Sequence, residues 1–203
     1  VQRHIDSFEK ARQFFRPNLD ELHDPLLMKD MDIAVDRIDK ALKNNENILI
    51  YGDYDVDGTY AVSLVYSYLQ KLHDQVATYI PDRYSEGYGI SYAGIDFACD
   101  NEIDLVIALD CGIKAIEKIR YAGEKGIDFI VCDHHRPGDE LPEAVAVLNP
   151  KRDDFQSTTS ASRYIFYSAR AWELSPKRNT LSVCVRVDTH IDKSLPSLSE
   201  SEI

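Results

Sequence analysis

Glycine is missing after residue 138, so all 9 glycines of the 203-residue chain lie before residue 139. Ser and Thr run the other way, with 7 in residues 1–154 and 14 in the 49 residues that follow. This break separates a domain at 1–154 from an unassigned tail at 155–203. Positive charge is scarce where the glycines are. Residues 1–154 hold 17 Lys and Arg against 30 Asp and Glu, a balance of −13, while the tail carries +1. Such a balance argues against a broad electrostatic grip on nucleic acid. No apolar run approaches 18 residues, so no membrane span is expected. The polar opening Val1-Gln2-Arg3-His4 carries no secretory signal, which points to the cytoplasm. The four cysteines, at 99, 111, 132 and 184, form neither a CxxC pair nor a zinc-knuckle spacing. They read as small buried hydrophobes in a reducing compartment.

What is present is a regular alternation of strand and helix signals. Residues 7–16 read as a short helix ending before Pro17. Asp24-Pro25 reads as an N-cap and first helical residue, followed by helical spacing at Leu27, Met31, Ala34, Val35, Ile38, Ala41 and Leu42. Short apolar runs at 48–51, 76–80, 105–109, 129–131 and 144–148 read as strands. Helices are expected between them at 58–72, 91–100 and 113–121. Within 58–72, Ala61, Leu64, Val65, Tyr68, Leu69 and Leu72 fall on one face. Apolar strands without period-2 alternation imply a sheet covered on both sides. The fold class is therefore α/β, a doubly wound parallel sheet with helices on both faces. Ligands of such sheets sit beyond the carboxyl ends of the strands. In the tail only Leu181 to Val187 alternates weakly, and Ser194 to Glu202 reads as disordered.

Chemistry-bearing residues stand at those strand ends. The first strand runs into Gly52-Asp53-Tyr54-Asp55-Val56-Asp57-Gly58, with the two glycines allowing a tight turn. In an extended segment Asp53, Asp55 and Asp57 share one face, and crowded carboxylates repel unless cations are present. A solvated acidic turn is the plain alternative. A calcium loop of EF-hand type is excluded, because no Glu follows at the twelfth position. The third strand ends in Asp110-Cys111-Gly112, where the carboxylate is either a helix cap or a ligand. The fourth ends in Cys132-Asp133-His134-His135-Arg136. Of the two histidines one is expected to ligate and the other to orient water or substrate. Three carboxylate or imidazole clusters after three parallel strands make a dinuclear site. Mixed oxygen and imidazole ligation suits Mn²⁺ or Mg²⁺, two ions clamping a displacement at phosphorus.

The motifs GDYDVDG at 52–58, LDCG at 109–112 and DHH at 133–135 resemble successive motifs of the DHH phosphoesterase superfamily. LHDPLLMKDMDIAVDRI at 22–38, YIPDRYSEGYGIS at 79–91 and LNPKRDD at 148–154 are similar to its RecJ branch of single-strand-specific 5′→3′ exonucleases. The resemblance covers about residues 1–154. It implies a cytoplasmic, Mn²⁺- or Mg²⁺-dependent hydrolase of recombination and repair. Its partners would be single-stranded DNA and a single-strand-binding protein, with no membrane. It implies Asp55 and Asp110 as central metal ligands, Asp53 as a ligand of the second ion, and His134 as the ligand from the DHH motif. His135 would face the bridging water or the scissile phosphate, and Asp57, counted with it among the catalytic candidates, would support the turn or hydrogen-bond to the metal ligands. Arg83, in the loop beyond the second strand, is the candidate phosphate clamp, and Arg136 a weaker one.

The family's fourth motif is not recognisable, since the text around Asp188 and Asp192 does not resemble it. The break after Asp154 predicts a truncated chain with a tail read out of frame, binding Mn²⁺ weakly or singly and showing little nuclease activity. Two other functions stay in view. One is a related phosphoesterase acting on oligonucleotides, cyclic dinucleotides or pyrophosphate. Leu49 stands where those relatives carry a His, which favours the exonuclease branch. The other is a binding scaffold that has lost catalysis.

Overall fold

The computed structural model describes residues 5–16 and 25–152. The expectations for the first four residues, for Asp24, for Cys184 and for the whole stretch from 155 to 203 lie outside the described residues.

Ser7 caps helix α1 (Phe8–Phe15) through its hydroxyl, which accepts from the Lys10 amide. The expected helix from Pro25 forms differently. Pro25–Leu27 is a turn of 3-10 helix, and α2 (Met31–Asn44) starts only after Asp30. Asp30 lies in the left-handed region at φ 63°. Its carboxylate caps no helix amide; it accepts instead from the Val147 amide and from Arg152.

Five strands follow: β1 (Ile48–Gly52), β2 (Val76–Tyr79), β3 (Leu105–Leu109), β4 (Asp128–Cys132) and β5 (Ala146–Leu148). All pair in parallel, in the order β2-β1-β3-β4-β5. Three helices connect them: α3 (Val56–Leu69), α4 (Tyr92–Asp100) and α5 (Ile116–Glu124). The doubly wound α/β expectation holds. Alternate strand residues feed two cores. Ile48, Ile50, Leu105, Ile107, Leu109, Ile130 and Leu148 pack with α2 and α3 on one face. Leu49, Tyr51, Val106, Ala108, Phe129, Val131 and Val147 pack with α4 and α5 on the other. Burial on both sides explains why the strands read as unbroken apolar runs.

Helix edges differ from expectation for local reasons. Asp55 caps α3, its side chain accepting from the Gly58 amide at 2.9 Å, so the helix starts at Val56. The face α3 buries is Gly58, Ala61, Val62, Val65 and Leu69, while Leu64 and Leu72 are exposed. Helix α5 starts three residues late. Gly112 at φ 108° turns the chain, and the Ala115 amide donates to its carbonyl before the helix begins. Cys111 and Cys132 are buried thiols, but Cys99 is exposed, on the solvent side of α4. Among the described residues no helix is long and apolar enough to cross a membrane.

Candidate metal centre

The sheet register builds the site. Gly52 is level with Leu109, Leu109 with Cys132, and Cys132 with Leu148. One residue further on, Asp53, Asp110, Asp133 and Asn149 form the next row across four strands. The Asp110 amide donates to the Cys132 carbonyl and the Asp133 amide to the Leu148 carbonyl, continuing the ladder into that row. All four side chains are buried. A buried row of three carboxylates and an amide at the carboxyl edge, where strand order reverses between β1 and β3, is where this fold class places its ligands.

Asp110 sits at φ 60° and caps nothing, since the residue before α5 is Ala115. The cap reading of Asp110 therefore does not hold. Asp110 Oδ1 lies 3.0 Å from His134 Nε2. Ligand atoms of Asp110, His134 and His135 lie within 4.8 Å of one another, a grouping that could hold a metal ion. His135, expected to face water or phosphate, thus stands inside the ligand cluster. Its Nδ1 is 2.7 Å from Asp133 Oδ1, which also accepts from the His134 and His135 amides, while Oδ2 accepts from the Ile113 amide. That hydrogen bond to Asp133 holds the His135 imidazole above its ordinary range, against the effect of burial. Burial pushes Asp133 upward, but its bonds to His135 and Ile113 outweigh it and keep the carboxylate ionised. Asn149 donates to the His135 carbonyl at 2.9 Å and so fixes the turn from below.

Asp53 Oδ1 accepts from the Tyr54 amide, but Oδ2 is buried without a hydrogen-bond partner. Burial drives its carboxyl above the ordinary range and the Asp55 charge adds to that, while the Tyr54 and Gly89 amides and the Tyr88 hydroxyl, all turned toward it, offset this only in part. His134 Nδ1 is likewise buried and unpartnered. Buried polar atoms are normally satisfied. An orphaned carboxylate oxygen and an orphaned imidazole nitrogen beside a carboxylate–histidine pair fit a divalent cation.

The three-carboxylate face over 53–57 does not form. Helix α3 begins at Val56, so Asp57 is in its first turn while Asp55 is at its cap. Asp53 and Asp55 still join the cluster electrostatically. The Tyr88 hydroxyl and the Cys111 thiol are both pushed up, first by desolvation and then by the charges of Asp53, Asp55, Asp110 and Asp133. Burial and these charges disfavour the Cys111 thiolate, and its sulfur is not among the grouped ligand atoms. Arg136 is exposed and joins no contact of the cluster. Arg83 is exposed and stacks on Tyr54, its Cζ 5.3 Å from the ring centroid.

Tyr54 leads to residues the sequence reading missed. Tyr54 meets Tyr88 edge-on, Tyr88 meets His135 edge-on, and the Tyr88 hydroxyl is 3.3 Å from His135 Nε2. Gly87 and Gly89 flank Tyr88 at φ 81° and 77°, with open space where a Cβ would stand. They serve backbone conformation, and paired glycines around an aromatic were the available signal. Glu86 ties this loop down. It accepts from the Tyr79 hydroxyl, the Asp82 amide and the Ser91 hydroxyl.

Fold and rim together define a doubly wound α/β domain with a carboxylate–histidine cluster at its switch point that could hold a metal ion. Residues 47–191 match the DHH family, N-terminal domain, and the chain belongs to that family. The match passes residue 154, where the composition breaks. The single-stranded-DNA-specific exonuclease RecJ of Bacillus subtilis (strain 168) is 43% identical over 152 residues, 75% of this chain and 19% of the relative. A crystal structure of exonuclease RecJ bound to manganese superposes with a TM-score of 0.59 at 31% identity, over 64% of this chain and 33% of that one. RecJ from Thermus thermophilus in complex with Mn²⁺ gives 0.56 at 26% identity, over 72% of this chain and 21% of that one. The chain spans about a fifth to a quarter of the length of the curated relatives it matches.

Proposed function

We propose that this chain supplies the metal-binding part of a cytoplasmic, RecJ-like exonuclease that removes nucleotides from the 5′ end of single-stranded DNA. The observation that carries the reading is the buried row at the strand ends with its orphaned Asp53 Oδ2 and His134 Nδ1. Asp110, His134 and His135 would hold one Mn²⁺ or Mg²⁺, with Asp53 and Asp55 turned to a second. When bound, the cations lower the pKa of water and neutralise charge on the phosphoryl oxygens. The rest falls to side chains. Asp133 fixes the His135 ring, so that Nε2 faces the substrate side. The Arg83 guanidinium, steadied on Tyr54, would grip a backbone phosphate. Domain 1–154 is the unit that does this, and a single-strand-binding protein is the partner that would present the DNA.

The test reads metal first and cleavage second. Mn²⁺ is titrated into the full chain by electron paramagnetic resonance. Hydrolysis of 5′-labelled single-stranded DNA is then compared with duplex DNA, a dinucleotide and pyrophosphate. The expected result is Mn²⁺ binding lost in His134→Ala and Asp110→Asn, with any cleavage confined to single strands. Binding indifferent to both substitutions defeats the metal reading, and preference for pyrophosphate or the dinucleotide moves the chain to another branch.

A further inference from the structure

The sheet ends on β5, which pairs with β4 and, among the described residues, with no strand on its other side. An edge strand turns alternate amides and carbonyls away from the sheet, where another chain can pair with them. On β5 that residue is Val147. Its neighbour Leu148 faces β4, with its carbonyl accepting from the Asp133 amide. The Val147 amide instead donates to Asp30 Oδ2 at 3.3 Å, and the Val147 carbonyl accepts from Arg152 Nη1 at 2.6 Å. The same Nη1 donates to the same Oδ2, so carboxylate, guanidinium and strand close a ring of three contacts. The pair is largely withdrawn from water, with the Arg152 side chain 7% exposed and that of Asp30 19%. Asp30 forgoes another role to be there. It stands directly before α2, where a carboxylate ordinarily caps helix amides, yet it caps none. It also holds φ 63°, a conformation that residues with a side chain seldom adopt.

We infer that the Asp30–Arg152 pair is a lock on the β5 edge, and that the partner it shuts out is the same edge of a second copy of this chain. Two β5 strands set antiparallel about a twofold axis would bring Val147 opposite Val147, and a residue pair of that kind exchanges both N–H···O bonds. One amide and one carbonyl are what each edge has to offer, so the edge complements itself. Edge strands are commonly guarded by charged side chains of their own. Ala146, Val147 and Leu148 carry none, because all three are buried, so the guard has to come from outside the strand. Asp30 and Arg152 supply it from 122 positions apart, closing the edge with the two hydrogen bonds a new strand would make. An incoming strand would have to part a buried ion pair, which is costly because each charge is left without its partner. The lock works with or without a metal at the carboxyl-edge cluster.

Sedimentation velocity on the full chain, over a range of concentrations, compares the parent with an unlocked variant. Asp30→Gly combined with Arg152→Gln removes both charges together, and glycine takes φ 63° freely. This double variant is expected to self-associate at least about tenfold more tightly than the parent. Hydrogen exchange followed by nuclear magnetic resonance places the contact. The Val147 amide should be protected in the parent at every concentration, and in the double variant only where it associates. Arg152→Gln alone leaves the carboxylate on the Val147 amide; it should associate less than the double variant but more than the parent, and it decides the matter if the double variant fails to fold. Association equal to the parent's, or association in which the Val147 amide exchanges freely, overturns the lock. So does a double variant whose Val147 amide stays protected on dilution, since some other group then closes the edge. None of these results touches the metal reading, which His134→Ala tests separately.

Discussion

Asp133 bonds to four partners at once: the His135 ring, the His134 and His135 amides, and the Ile113 amide. On the proposed reading it is a positioning residue for the His135 ligand. Asp133→Asn keeps the size but loses the charge that sets the His135 ring. The expected cost is about 10–100-fold in Mn²⁺ affinity, as for other partners of metal-bound imidazoles. Electron paramagnetic resonance measures it, and unchanged affinity would remove Asp133 from the centre. Glu86 does similar work on the loop that carries Arg83 and Tyr88. Burial raises its carboxyl, but bonds from Ser91, the Asp82 amide and Tyr79 prevail, so its folded pKa lies below the ordinary value of 4.5. A lowered carboxylate pKa contributes stability that is full above the unfolded value and is lost as pH falls through the folded one. Glu86→Gln should therefore cost about 1 kcal/mol near neutrality, discounted for partial solvation, and nothing at the acid end of the window. Thermal melts from pH 7 downward check this. A penalty that persists in acid would mean the loss is packing and not charge.

At the scale of elements, the joint between β1 and α3 decides where the acidic motif points. Gly52 and Gly58 were expected to ease a turn, yet neither has positive φ. They are needed for space. A Cβ on Gly58 would stand 2.6 Å from the Asp53 carbonyl oxygen and 2.7 Å from its amide nitrogen, and one on Gly52 would stand 2.3 Å from Val62 Cγ2. Gly58→Ala must push α3 off the strand, at about 1–3 kcal/mol, and swing the Asp55 cap away from Asp53. Chemical denaturation should register the loss and Mn²⁺ titration a weaker site; a variant equal to the parent in both would show that the helix gives way freely. Strands were legible in the sequence because burial on both faces leaves runs such as Leu105–Leu109 with no polar interruption. Helix starts were not. The start of α3 depends on one side chain, Asp55, choosing the Gly58 amide, and that of α5 on a left-handed Gly112. The motif residues of the centre were legible one by one. Their common row was not, because it needs the register of β1, β3, β4 and β5, and the same ignorance hid Asn149. Tyr88 was missed since its meeting with His135 spans 47 positions of sequence.

Taken as a whole molecule, the domain concentrates charge where folding alone would not put it. A net charge of −12 would ordinarily be spread over solvent, yet Asp53, Asp110 and Asp133 are buried side by side. Asp53 has an orphaned oxygen as well. Like charges withdrawn from water weaken the folded state, and proteins tolerate this mainly at functional sites. The acidic balance that argued against nucleic acid is thus in part a feature of a centre that a cation would convert into a phosphate-seeking one. Opposite effects with and without metal follow for one substitution. Asp53→Asn removes a buried charge, so the metal-free protein should gain about 1 kcal/mol, which for a chain of this size raises the melting temperature by about 2–4 °C. Mn²⁺ at a hundred times its dissociation constant should add about 2.7 kcal/mol to the parent, and distinctly less to the variant. Paired melts in chelator and in Mn²⁺ measure both effects. If Asp53→Asn lowers the melting temperature in chelator and keeps the full Mn²⁺ increment, Asp53 is a structural carboxylate and the row does not serve a metal at its β1 end.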